Sequence, residues 1–422
     1  MRRFHLVCLT LCATLASSSA FSGDDPIAPA PTPEPQREGF FKRTFRSILD
    51  DNKDPNDRGF GWGPFQPRVE IVSSGAGPAP VLHLWAPDLL GSGIDFHAAG
   101  AYSIYGYQYY DAQIGKVPYV GRRLPRIGKG TTDLFPLADI ERTASVPGFH
   151  IYGSFRHRDY PREDFYGVGP DSAVTNRSDY RLRDELFEGV IQTRLSHVSL
   201  MARAGLMKPS IHPGTDSAFP NTELSNTEET APGLMSTADF THMSAGAWLE
   251  LRDEPSNPHR GISLGVAVSR FDDHDGSLYQ FNRVVVDARQ YIPLGSNRQV
   301  IALRQVAFLD SPDAGSVVPF YMQPNFGGST FLRGYGSTRF RDNKLLAIGA
   351  EYRLSVHKHI QLAAIYEAGE VSPDMHGFNI NRIKHDYGGG IRLKTPKRVI
   401  LRVDVLHSSE MTRVDVKLGP SF

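Results

Sequence analysis

Between Leu345 and Leu354 apolar and polar positions alternate. Leu346, Ile348, Ala350, Tyr352 and Leu354 share one face, while Ala347, Gly349, Glu351 and Arg353 share the other. A period of two with one apolar and one charged face predicts a strand lying between lipid and a polar lumen. The alternation returns near the C-terminus. Val399, Leu401, Val403 and Val405 would face lipid, with Arg398, Arg402 and Asp404 inside; Val414, Val416 and Leu418 oppose Arg413, Asp415 and Lys417. Phe422 falls on the outward face by the same parity. With Val416 and Leu418 it reads as a C-terminal signal for the barrel-insertion machinery. A soluble β-sandwich is the rival reading, but its inner face would be dry, and these faces carry too much charge.

The connections follow a second pattern. Ser277–Ile292 and Asn297–Leu309 flank the short turn Pro293-Leu-Gly-Ser; Lys344–Ser355 and His359–Val371 flank Val356-His-Lys; Asp386–Lys394 and Arg398–His407 flank Thr395-Pro-Lys. Longer polar segments, Asp310–Asn343 and Ser372–His385, separate these hairpins. Short turns alternating with long loops mark an outer-membrane barrel, the short ones periplasmic. Upstream candidates are Pro67–Ser73, Pro80–Ala86, Gly93–Tyr105, Gly106–Gly115, Gly148–His157, Arg183–Leu195, His197–Leu206, Phe240–Leu251 and Gly261–Phe271. The sum predicts an all-β, transmembrane antiparallel β-barrel of about 16 strands. Pro209–Ala238, rich in Thr, Ser, Asn, Pro and Glu, reads as a large surface loop.

The N-terminus sets the compartment. Arg2 and Arg3, the apolar run Leu6 to Leu15 and the small residues Ser18-Ser-Ala20 have the layout of a cleaved signal peptide over residues 1–20, too short to span a membrane. Both cysteines, Cys8 and Cys12, lie within it, so the mature chain would have neither disulfide nor thiolate chemistry. Residues 21–58 combine a proline-rich linker, Asp24 to Pro35, with a candidate short amphipathic periplasmic helix, Gly39 to Asp50. Residues 59–422 are then the barrel, with outer-membrane lipids as its surroundings. The formal net charge of +0 gives no electrostatic footprint for nucleic acid.

Gly327-Gly-Ser-Thr-Phe-Leu-Arg-Gly-Tyr335 carries a resemblance to a family. It is similar to the BamA/TamA-type bacterial surface antigen superfamily, two-partner secretion transporters included. There a long extracellular loop folds back into a sixteen-stranded barrel and ends in an Arg-Gly-aromatic tip. Asp164-Phe-Tyr-Gly-Val-Gly-Pro-Asp171, Pro258-His-Arg-Gly-Ile262 and Tyr387-Gly-Gly-Gly-Ile-Arg392 fit in type and order. The family's aromatic-x-Asp-x-Gly stretch is matched by Ile365-Tyr-Glu-Ala-Gly369, with Ile for the aromatic and Glu for Asp. The resemblance implies a lumen loop tip of Arg333, Gly334 and Tyr335. Its wall partner would be Glu367, or another inward acid such as Glu351, with Gly369 completing the motif. Family members that assemble or secrete proteins place POTRA modules before the barrel, each of about 75 residues by resemblance. The roughly forty residues available here are expected to hold none.

Other candidate chemistry is weak. Gly261-Ile-Ser-Leu-Gly265 has Gly-x-Ser-x-Gly spacing but falls inside a candidate strand rather than at a strand-to-helix elbow, and His242 with Ser244 share only a face. His357-Lys-His359 lacks a third ligand nearby, and Asp272-Asp-His-Asp-Gly276 lacks the closing Glu of an EF-hand. No catalytic residue, metal or cofactor is therefore expected. The expected function is a loop-plugged translocation or membrane-protein-assembly scaffold, served by a separate periplasmic partner. The alternatives are a passive porin, a structural or adhesive surface antigen, or, more remotely, a lipid hydrolase.

Overall fold

In the computed structural model, outward apolar and inward charged side chains sort onto the two faces of a single antiparallel sheet. The structure describes residues 64–73, 75–118, 136–144, 146–276, 278–328, 331–419 and 421–422. The signal peptide, linker and amphipathic helix expected within residues 1–58 lie outside the described residues.

The strands are β1 (Phe65–Ile71), β2 (Pro78–Ala86), β3 (Asp95–Tyr102), β4 (Gln108–Lys116), β5 (Gly148–Phe165), β6 (Ser178–Leu195), β7 (Val198–Pro213), β8 (Phe240–Glu250) and β9 (Gly261–Asp273). They continue as β10 (Phe281–Leu294), β11 (Ser296–Pro312), the two-residue pair β12 (Asn325–Phe326) and β13 (Phe340–Arg341), β14 (Lys344–His357), β15 (Ile360–Ser372), β16 (Lys384–Lys394), β17 (Val399–Ser408) and β18 (Thr412–Leu418). Sixteen of them form one sheet in chain order, β11 pairing directly with β14; β12 and β13 form a separate ribbon. Each predicted strand has its counterpart. The largest boundary shifts are in β5 to β7, which run longer than their alternating cores, so the surface loop begins after Pro213 rather than at Pro209.

The sheet curls into a barrel. Asn257, between β8 and β9, donates through Nδ2 to the carbonyls of Thr395 (3.2 Å) and Pro396 (3.0 Å), and Val399 N–H donates to Ser256 O (3.0 Å). In a flat sheet β9 and β16 would stand about 24 Å apart, five steps of about 4.8 Å. Ile348, Val414, Val416 and Leu418 lie exposed on the outside, whereas Glu351, Arg353, Arg392, Arg402 and Asp404 are buried inside. Only ion pairing makes such an interior tolerable, because a buried charge without a partner is costly. Among the described residues no helix is long and apolar enough to cross a membrane.

A helix packed on the inner wall was not foreseen. Helix α1 (Pro136–Thr143) lies in the connection between β4 and β5 and packs against β7, β8 and β9. Leu137 and Ile140 sit in a buried cluster with Trp248, Ala267, Val190 and Met201. Two glycines on the inner wall make the seat. A Cβ at Gly246 would stand 2.8 Å from Ile140 Cδ1, and one at Gly265 would stand 2.5 Å from the Trp248 ring and 3.1 Å from Leu137 Cδ2.

Candidate functional site

The connection from β11 to β14 closes at its neck through the β12–β13 ribbon, and its tip enters the lumen. Gly327 has φ +110°, and a Cβ there would fall 2.1 Å from the Gly336 carbonyl, so only glycine fits. Three backbone bonds fold the tip: Gly327 N–H to Phe331 O (3.0 Å), Gly328 N–H to Tyr335 O (3.1 Å) and Tyr335 N–H to Leu332 O (3.0 Å). Leu332, just before the arginine, has φ +47°, a left-handed conformation costly for a branched side chain. Its burial against the wall offsets that cost. Gly369 on β15 leaves the room, since a Cβ there would stand 3.0 Å from Leu332 Cδ1.

Arg333, 2% exposed, is the centre of the site. Its Nε donates to Glu367 Oε1 (2.8 Å), its backbone N–H to Glu367 Oε2 (2.9 Å) and its Nη1 to Asp404 Oδ2 (2.8 Å); Nη2 is 3.4 Å from Glu351 Oε1. Glu367 on β15, Glu351 on β14 and Asp404 on β17 face inward because they occupy the lumen parity of their strands. The planar guanidinium suits this ring of acids, offering several donors in fixed directions. Further arginines share the acids: Arg392 and Arg353 donate to Glu351 (3.0 and 2.8 Å), and Arg402 to Asp404 (2.7 Å).

Gly334 N–H donates to Asp386 Oδ2 (2.6 Å), and a Cβ at Gly334 would come within 2.8 Å of Asp386 Cβ. Ser408 Oγ donates to Gly334 O (2.9 Å), Tyr335 Oη donates to His385 O (3.2 Å) and meets Ser409 Oγ (3.2 Å), and Arg413 donates to the Tyr335 carbonyl. Further along, Arg339 bridges the lumen. It donates to Glu410, between β17 and β18, and to Ser172, between β5 and β6. Phe331 stacks under Arg304, whose guanidinium carbon lies 4.2 Å from the ring centroid. The tip is therefore tied to β14–β18 on one side and β5–β6 on the other.

The structure brings Arg333, Gly334, Tyr335, Glu367, Gly369 and Glu351 into one site. Sequence reasoning missed Asp386, which shares inward parity with Gly388, Gly390 and Arg392, and it left Asp404 out of the site although placing it inside. It also missed the lower obstruction, α1. Glu141 of α1 accepts from Arg289 Nη2 (2.8 Å) and Arg252 Nη2 (3.2 Å), and Asp139 accepts from Arg203 Nη1 (3.2 Å).

Phe422 is not where strand parity put it. Val416 and Leu418 face outward at 53% and 61% exposure, but Phe422 is turned in at 8%. Strand β18 ends at Leu418 and Gly419 takes φ +92°, so the alternation stops there. Tyr291 Oη donates to the Phe422 carbonyl (2.7 Å), and the Arg353 guanidinium lies 5.3 Å from the ring centroid.

The weaker candidates settle into structural contacts. His242 and Ser244 both point inward, His242 to Glu188 (3.0 Å) and Ser244 to Ser269 (2.8 Å). His359 Nδ1 lies 3.1 Å from the Lys394 carbonyl, and Asp273 accepts from the amides of Asp275 and Leu278. Among the described residues no three His, Cys, Asp or Glu side chains are arranged to hold a metal.

An apolar-outside, charged-inside sheet with a loop pinned in its lumen defines a transmembrane β-barrel of the bacterial outer membrane. Residues 216–405, a stretch that includes the Arg-Gly-Tyr tip, match the Omp85 superfamily domain. Among solved structures, BamA from Haemophilus ducreyi lacking POTRA domains 1–3 is similar over 89% of this chain and 80% of its own, with 12% identity and a TM-score of 0.58. CdiB from Acinetobacter baumannii (9% identity, TM-score 0.46) covers 84% of this chain and 60% of its own; CdiB from Escherichia coli (15%, 0.46) covers 85% and 60%. The fold likeness rests on the first of the three. No curated protein sequence matches the chain.

Proposed function

We propose that this barrel is a gated translocation or membrane-protein-assembly scaffold whose lumen is held shut by its own loop. The observation that carries this reading is Arg333, which reaches Glu367, Asp404 and Glu351 at once. A passive porin has no need for a centrally pinned tip bridging opposite walls. A latch built from one guanidinium on several acids is strong while intact. It is also reversible, because every acid but Glu367 has another arginine to hold it when the tip leaves. Helix α1 narrows the lumen further between β7 and β10. The matched BamA structure is described by which POTRA domains it lacks, and by analogy a separate periplasmic partner would deliver clients to this barrel. Val416, Leu418 and Phe422 serve in this reading as a signal to the insertion machinery, read before folding, since Phe422 ends up inside.

Two measurements test it. In planar bilayers wild type should be quiet and Arg333→Ala should show intermittent openings; equal, steady conductance in both would favour a porin. Proteoliposomes carrying the barrel should also speed insertion of an unfolded outer-membrane barrel client over empty liposomes. Equal rates would sink the assembly role.

A further inference from the structure

On the outer wall one carboxylate breaks the apolar pattern. Glu370 pairs with Leu346 across the β14–β15 ladder and so shares the outward parity of Ile348 and Ala368. An acid facing lipid is costly, yet Glu370 is only 4% exposed. The connection after β15 explains this by folding back down the outside of the barrel. Both oxygens of Glu370 accept from Asn379 N–H (3.1 and 3.0 Å), and Arg382 Nε lies 3.9 Å from Oε1. The Asn379 side chain accepts from Asn381 N–H (3.0 Å), and Arg382 Nη2 donates to Gly377 O (3.2 Å). Glu370 thus clamps a short 3-10 turn, Ile380–Arg382, against the wall.

Beneath this clamp is a groove of about 530 Å³, within the range of about 300–1,000 Å³ usual for ligand sites. Its floor runs along one ladder row, Val286 to Ala307 to Leu346, with Ala368 beside it. The alanines make the hollow. Its roof is Phe378, Ile380 and Ile383, and Ile380 is 83% exposed. The wall around it is lipid-facing surface: Ile348, Leu362 and Tyr366 are 53%, 40% and 46% exposed. The connection lies on the rim that carries the long 313–343 loop, the outer-leaflet side.

We propose that this groove is a lipid-binding site that holds one acyl chain of an outer-leaflet lipid. Three observations point to a lipid chain. The groove opens onto a surface whose solvent is hydrocarbon. Its lining is apolar on floor and roof apart from Gln305, with Glu370 and Asn379 spent on the clamp. An isoleucine as exposed as Ile380 is unfavourable in water and favourable against lipid. A second outer concavity of about 830 Å³ is lined by wall residues of β5 to β10 and, among the described residues, has no roof like that over Glu370. The inference stands on the barrel alone and does not depend on the proposed translocation role.

Native mass spectrometry of the purified full chain, after exchange from vesicles of palmitoyl-oleoyl phosphatidylethanolamine into detergent, tests it. Wild type should keep one phospholipid per chain. Ala307→Trp, which fills the floor, and Glu370→Ala, which frees the roof, should each lower retention at least tenfold. Ala364→Trp, an equal addition at an exposed outward position on β15, should retain lipid like wild type. Heat-modifiable migration checks that each variant is folded. A wild type that keeps no lipid, or equal retention in all four, would overturn the proposal. So would a groove variant that instead loses a bound protein or a dimer.

Discussion

Replacing Arg333 with alanine removes the one guanidinium on Glu367. The other acids keep partners: Glu351 retains Arg353 and Arg392, and Asp404 retains Arg402. The cost is therefore close to that of one broken buried pair, about 3–5 kcal/mol, with most of it falling on the docked state of the loop. At about 1.4 kcal/mol per tenfold, the undocked fraction should rise by roughly two to three and a half orders of magnitude. Hydrogen exchange reads this directly, because the amides of Gly327, Gly328 and Tyr335 are bonded only within the folded tip. Their exchange should accelerate by that factor while β14 and β15 amides stay protected. Arg333→Lys should fall between, since an ammonium cannot reproduce the fork. Unchanged tip protection in Arg333→Ala would refute the latch and shift the anchoring to Gly334 and Tyr335.

Further outcomes follow from the packing. Gly369→Val should cost about 1–3 kcal/mol of stability by overpacking Leu332 and the Leu346 carbonyl, read as a lower thermal midpoint. Ile140→Ala should loosen α1 by about 2–5 kcal/mol, exposing residues 136–144 to protease while the barrel stays heat-modifiable. Asp342, at the base of the loop, has its carboxyl raised from 3.8 to about 6 by burial, with nearby Asp374 adding to it. An acid whose folded pKa is raised favours the protonated folded form, so stability should fall as pH rises from 4 through about 6. Asp342→Asn should flatten that slope in thermal melts, and an unchanged slope would assign it elsewhere.

The wall was legible because alternation is a local signal. Glu351, Arg353, Arg402 and Asp404 declare the lumen face by parity alone. What parity could not reach are places where the chain leaves the ladder. Gly419 ends the period, so Phe422 turns inward. Glu370 keeps outward parity, but the fold of residues 378–383 over it depends on contacts nine residues away. Helix α1 spans only eight residues, and its Asp139 and Glu141 look like solvated charges until Arg203, Arg252 and Arg289 are gathered around them. Residues of the Arg333 site were legible through the resemblance, whereas Asp386 needed the three-dimensional register.

The most direct test of the pinned loop is a photo-crosslinking amino acid, benzoylphenylalanine, placed at Tyr335 in cells with intact outer membranes. The ring sits where its hydroxyl meets His385 O and Ser409 Oγ. Illumination should give an intramolecular crosslink mapping to the start of β16 and the β17–β18 turn, with a lower yield in Arg333→Ala. Crosslinks only to other molecules, or none to this wall, would contradict the account.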